Sequence, residues 1–267
     1  MAVRLGTASS PWGVGALARS AVLYAVEMAF FLSFLFMYFI LRGLPTDRVE
    51  EATANARHII AIERRLGVFA EVGWQQAAHP NPDLVSLANF TYLYLHLPLL
   101  LVMGFLFFHA DIRKYRVLRN AMLLSGLIGV AFYLFAPVTP PRLMAAAGYD
   151  LGFVDTLDTV RRTRPGPLAN DYAAIPSYHF GWVALAACGV WWCWKAPLLR
   201  GLAVAFTALM WWAIVVTGNH YFLDMALGAL LVAFSFVIAY RWERWVERRP
   251  ASSRRWLFRL NDHRLPF

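Results

Sequence analysis

Cysteine and lysine are scarce in this chain, with two of each in 267 residues. Cys188 and Cys193 both fall inside one apolar run, so there is no disulfide framework and no metal-ligand spacing; they read as small buried hydrophobes. With lysine only at 114 and 195, nearly all the positive charge is arginine. A Walker-type loop, a kinase signature and a His-Glu-x-x-His zinc motif are all absent, which removes the commonest nucleotide and zinc-peptidase chemistries. Neither an internal repeat nor a low-complexity segment is present. Charged residues are only 15% of the whole.

What fills the space instead is apolar. Hydrophobic residues make up 60% and mean hydropathy is +0.50, more long oily runs than a soluble core requires. Six runs approach or exceed the ~20 residues that cross a bilayer as helix: 20–41, 84–109, 120–136, 178–194, 201–217 and 222–240. The first has too long an oily core for a signal peptide and no small-residue cleavage pattern before Arg42, so it reads as a retained helix. These runs predict an all-α polytopic membrane protein, a six-transmembrane-helix bundle forming one domain over 1–267. In the outer segment at about 46–80, Val49, Ala52, Ala56, Ile59, Ile60 and Leu66 recur at helical spacing between charges. That predicts an additional interfacial amphipathic helix, a tether more than a lid.

Arginine and lysine set the orientation. With both termini cytoplasmic, sixteen of the 25 basic residues fall inside and nine outside. The tail from 241 to 267 mixes arginine with tryptophan, which reads as an anchor on anionic lipid and not as a nucleic-acid surface. In this topology three polar clusters reach the extracytoplasmic face: "PVTPPRL" (137–143), "NDYAAIPSYH" (170–179) and "TGNHYFLD" (217–224).

Pro176 pre-sets a helix entry and Ser177 is a favoured N-cap residue; the free amides of that first turn make an anion site toward which His179 projects. The plain alternative is a capped helix with an interfacial histidine. His220 and Asp224 stand at i, i+4, so a helix beginning there puts them on one face. The carboxylate would then fix the imidazole tautomer and leave the other nitrogen as base or nucleophile. A mutually satisfied structural pair, or a pair of metal ligands, fits the same spacing, although no rich outer carboxylate cluster accompanies it. Arg142, held extended by Pro140 and Pro141, has the fork that grips phosphate, or else snorkels at the interface. Two histidines, a carboxylate, an arginine and a helix N-terminus on one side together point to phosphoryl transfer. His58, His79, His96, His109 and His263 read as interfacial, structural or solvated.

"AAIPSYH" and "TGNHYFLD" resemble the second and third motifs of the type 2 phosphatidic acid phosphatase superfamily. With "APVTPPRL" and "NDYAAIPSYHFGW", the chain looks most like the branch related to inositol phosphorylceramide synthase, over about residues 45–240. The resemblance implies a six-helix membrane bundle, its catalytic part over about 84–240, working without a metal or other cofactor. It implies that His220 is a nucleophile forming a phosphohistidine, that Asp224 orients it, and that His179 protonates the leaving group. Arg142 and Ser177 would bind phosphoryl oxygens, with Asn170 and Tyr178 as further candidate substrate-binding residues.

Three positions depart from the broader superfamily. Phe135 stands where it has a lysine, Leu143 where it has a proline, and Ile214 where it has an arginine; the synthase-like branch shares these losses. Arg161, Arg162 and Arg164 read as surface charge. The implied partners are a lipid phosphate or phospholipid substrate in the cell membrane, and water or a polyol as acceptor. A metal-dependent membrane hydrolase and a non-catalytic lipid carrier or scaffold are the rival classes.

Overall fold

The computed structural model describes residues 14–44, 48–158 and 170–249. The chain divides into two compact units, Met1–Met37 with Arg249–Phe267, and Tyr38–Arg248. The described part of the first is most of helix α1 (Val14–Gly43). Its Val22, Val26, Phe30 and Phe36 are exposed, a surface suited to lipid and not to water.

The second unit is helical, and among its described residues the only β pairing is an isolated parallel bridge between Val138 and Ala173. Helix α2 (Val49–Leu66) buries Ala52, Ala56, Ile59, Ile60 and Glu63 along one face. Four of these are the expected stripe, and Ala56, Ile59 and Ile60 pack with Val138, Met144, Ala174 and Tyr221. Val49 and Leu66, at the helix ends, are exposed. Helix α3 (Glu71–Ala78) completes the outer segment. Helix α4 is the run Pro82–Ala110. Asn81 starts it, its side chain accepting from the amides of Asp83 at 3.0 Å and Leu84 at 3.3 Å, with Pro82 pre-set in the first turn. Over Thr91–Leu95 it loosens into a π-helical turn before resuming at His96.

Asp111 separates α4 from α5 (Ile112–Phe135): its extended backbone ends one helix, and its carboxylate accepts from the amides of Arg113 and Lys114 to begin the next. Helices α6 (Tyr178–Cys193), α7 (Pro197–Val216) and α8 (Phe222–Glu247) follow. Among the described residues, five helices are long and apolar enough to cross a membrane: Ala21–Gly43, Pro82–Ala110, Ile112–Phe135, Pro197–Val216 and Phe222–Glu247. The expected sixth span, 178–194, is α6, and it falls short. Its 16 residues rise about 24 Å at 1.5 Å each, against a hydrocarbon core of ~30 Å. Extended backbone at Ser177 and Trp194 stops it at both ends, and it packs against α4, α5, α7 and α8.

Glycine sets how closely α6 meets α8. A Cβ on Gly228 would stand 2.3 Å from the Ser177 carbonyl oxygen, and one on Gly181 would stand 2.9 Å from that of Gly228. Any larger residue would push apart the two helices that carry His179 and Asp224. At the other end of α5 and α8, Arg116 pairs with Glu243. The helix ends nearest His179 and Asp224 are left to other polar groups.

Candidate active site

The turn Thr217–His220 reverses the chain between α7 and α8. Gly218 takes φ +64°, a conformation a side chain would strain, and its carbonyl accepts from the Arg142 amide at 2.9 Å. His220 is thereby set at the mouth of α8, 4% exposed. Its Nδ1 lies 2.6 Å from the Ala174 carbonyl oxygen and 3.5 Å from Oδ2 of Asp224. A carbonyl only accepts, so Nδ1 carries the proton and Nε2 presents its lone pair. The tautomer expected from Asp224 is therefore present, but the nearer partner holding it is a backbone carbonyl. Oδ2 of Asp224 also accepts from the Tyr221 amide at 2.9 Å.

His179 stands in the first turn of α6, its ring centroid 5.9 Å from that of His220. Tyr92, in the π-turn, stacks on it at 4.3 Å, and His96, just after that turn, lies tilted against it at 4.5 Å. Nε2 of His96 is buried without a hydrogen-bond partner. From sequence alone His96 reads as interfacial, structural or solvated, and Tyr92 is not singled out. The available signal was a tyrosine and a histidine four residues apart inside a lipid-length run, where polar groups are costly.

Ser177 occupies the N-cap position but makes no cap hydrogen bond. Its Oγ is sealed from solvent without a partner, while its amide donates to the Asp224 carbonyl at 3.0 Å. Arg142 is held close to the His220 turn: Nε donates to Oδ1 of Asn219 at 2.9 Å, and the two Nη groups meet Asp155 at 3.3 Å and Asp171 at 3.0 Å.

The other two sequence candidates turn elsewhere. The Tyr178 hydroxyl donates to the Ser125 carbonyl and its ring stacks on Trp182 at 5.0 Å. Neighbours in a helix point about 100° apart, so the residue beside His179 faces α5 and not the imidazoles. Asn170 spends both ends of its amide on backbone, donating to the Arg42 carbonyl at 2.6 Å and accepting from the Tyr172 amide at 2.8 Å. It fastens the end of α1, and its correction from ligand to fastener follows from those two bonds. Of the cation positions, Phe135 is exposed and Ile214 is buried among Val183, Met210 and Met225. Arg161, Arg162 and Arg164 lie outside the described residues.

Sequence reasoning also missed a carboxylate cap on α8. Glu63 accepts from the Leu223 amide at 2.8 Å and Glu71 from the Phe222 amide at 2.9 Å, beside Asp224 on Tyr221. All three acids are fully buried. Burial and the facing Glu71 carboxyl push Glu63 up to about 9; burial and the same three acids raise the Tyr221 hydroxyl. Glu63 falls four residues after Ile59 on the apolar stripe of α2, and an acid in that register was the signal. Among the described residues, no three His, Cys, Asp or Glu side chains are grouped to hold a metal ion.

Comparison with known proteins gives the family. One match is the inositol phosphorylceramide synthase catalytic subunit AUR1 of Saccharomyces cerevisiae (strain ATCC 204508 / S288c), 33% identical over 67 residues; the match spans 25% of this chain and 16% of that protein. No solved structure matches. Residues 57–238 match the PAP2 superfamily, and with more than half its length matched the chain belongs to that superfamily.

Proposed function

We propose that this protein is a membrane lipid phosphatase or phosphotransferase that works through a phosphohistidine. The observation carrying this reading is the pair of imidazoles: His220, with Nδ1 held by Ala174 and Asp224, and His179, 5.9 Å away between ring centroids. In the first step Nε2 of His220 attacks phosphorus of a phosphorylated lipid headgroup. The P–O bond to the leaving alcohol breaks as the His179 proton passes to that oxygen. In the second step His179 takes a proton from water or an alcohol, whose oxygen attacks phosphorus; the P–N bond breaks and His220 is restored. Ser177 and Arg142 take phosphoryl oxygens, and Asp224 stabilises the charge that develops on His220.

The arginine distribution supports both termini in the cytoplasm and a site open to the extracytoplasmic face. The short helix α6 fits as the inner member of the bundle, its ends met by polar loops. A likeness to a catalytic subunit named for inositol phosphorylceramide synthesis favours an alcohol, polyol or lipid, over water as acceptor.

The test is incubation of the purified protein with lipid phosphates and phosphodiesters, with and without inositol, and mass spectrometry of the products. His220→Ala and His179→Ala each lose turnover by about a thousandfold or more while the protein stays folded. A phosphorylated, acid-labile adduct is trapped in the wild type and is absent from His220→Ala. Wild-type turnover in either variant refutes the roles. Loss of activity in EDTA, restored by a divalent ion, would favour the metal-dependent rival, and absence of any turnover the carrier.

A further inference from the structure

A phosphate needs more positive charge than the site so far contains. The single guanidinium of Arg142 already meets two carboxylates, Asp155 and Asp171, and Phe135 and Ile214 leave two expected cation positions empty of charge. Another guanidinium stands nearby. Arg42, in the last turn of α1, forms no ion pair with the described residues, and its Nε is sealed from solvent with no hydrogen-bond partner. The guanidinium lies 5.8 Å from the centroid of the Tyr133 ring. It is within electrostatic reach of Tyr38, Tyr92 and Asp171 and of His96. Two of those, Tyr92 and His96, are the rings that clasp His179. A third, Asp171, is the acid that Arg142 grips. Asn170 fixes the backbone carbonyl of Arg42, so the turn bearing the side chain is anchored to the segment bearing Asp171.

A guanidinium with a sealed, unfilled N–H is costly to keep unless a ligand completes it. Favourable placement at the C-terminus of α1 accounts for its charge but not for its burial among the groups around His179. We propose that Arg42 is a second phosphoryl-binding residue of this site, sharing with Arg142 the oxygens of a phosphorylated lipid headgroup. Asp171, faced by both arginines, yields Arg142 to the phosphate. The cation missing at Phe135 and Ile214 thus arrives from another helix, α1. This inference rests on the phosphoryl-transfer reading, and its test separates the two.

The probe is inorganic phosphate on the full-length protein in detergent, read as protection against thermal unfolding and as competitive inhibition of lipid-phosphate turnover. In Arg42→Gln the inhibition constant rises roughly tenfold or more and the protection disappears, while the unfolding midpoint without phosphate stays near wild type. Arg65→Gln, on the exposed side of α2, keeps both. Should Arg42→Gln not fold, Arg42→Lys serves: it retains charge without the fork, and its inhibition constant rises several-fold. Wild-type protection and inhibition in the folded variants overturn the proposal even where lipid phosphate is turned over. Phosphate protection that depends on Arg42 in a protein without turnover upholds the anion site and overturns the reaction instead.

Discussion

The two imidazoles are held by different means. His220 sits in a turn, its Nδ1 bonded to the Ala174 carbonyl with Asp224 3.5 Å away. His179 sits in a helix, stacked on by Tyr92 and flanked by the tilted ring of His96. Hydrogen bonds to one nitrogen select a single tautomer, which a nucleophile needs, since its lone pair must stay on the other nitrogen. In the proposed mechanism that lone pair belongs to His220, while His179, packed against Tyr92 and His96, serves as acid and then base.

That contrast can be broken from either side. Loosening the clasp has the larger effect. Replacing both Tyr92 and His96 with alanine removes the two rings packed on His179, and kcat falls by about a hundredfold, the scale of a small misplacement of a catalytic group, with KM little changed. An equal rise in KM would mean that the rings bind substrate. Disturbing the hydrogen bonds has the smaller effect. Where a carboxylate alone sets a histidine tautomer, its amide costs about ten-thousandfold. Here the Ala174 carbonyl keeps the tautomer, so Asp224→Asn lowers kcat by only about tenfold, the worth of a charged over a neutral partner, and still binds substrate. A loss of several thousandfold would transfer the orienting role from Ala174 back to Asp224.

What was legible in the sequence follows from which links were local. Long apolar runs and the i, i+4 pair His220–Asp224 depend on neighbours in the chain, and both are where spacing puts them. The nearer partner of His220 is a backbone carbonyl 46 residues away, and no side chain advertises a carbonyl. Tyr92 and His96 reach His179 across α4 and α6, a tertiary meeting that periodicity does not encode. Composition marks 178–194 as an apolar run but does not measure the helix it forms; α6 has 16 residues and packs among α4, α5, α7 and α8. Ser177 has the right residue type for a cap, yet its hydroxyl caps nothing.

The smallest effect comes from sharpening the support beneath both imidazoles. Glu63 and Glu71 each spend one oxygen on an amide of α8, and the other oxygen of each is buried without a donor. Two ionised carboxylates so placed, with Asp224 beside them, would repel in a dry setting. A proton on Glu63 makes them a hydrogen-bonded pair, which is why burial and Glu71 lift it from 4.5 to about 9. Folded protein therefore holds a proton that the unfolded chain has released through that interval. The contribution is complete below pH about 4.5 and is lost as pH rises toward 9. Between pH 7.5 and 9, past the ordinary imidazole range, the unfolding midpoint of the wild type in detergent declines by several degrees. Glu63→Gln keeps the acceptor for Leu223, has no proton to lose, and flattens that decline, so it gains on the wild type progressively as pH rises. Equal slopes in the two proteins would show that the shared proton is not what holds α2 and α3 to the mouth of α8.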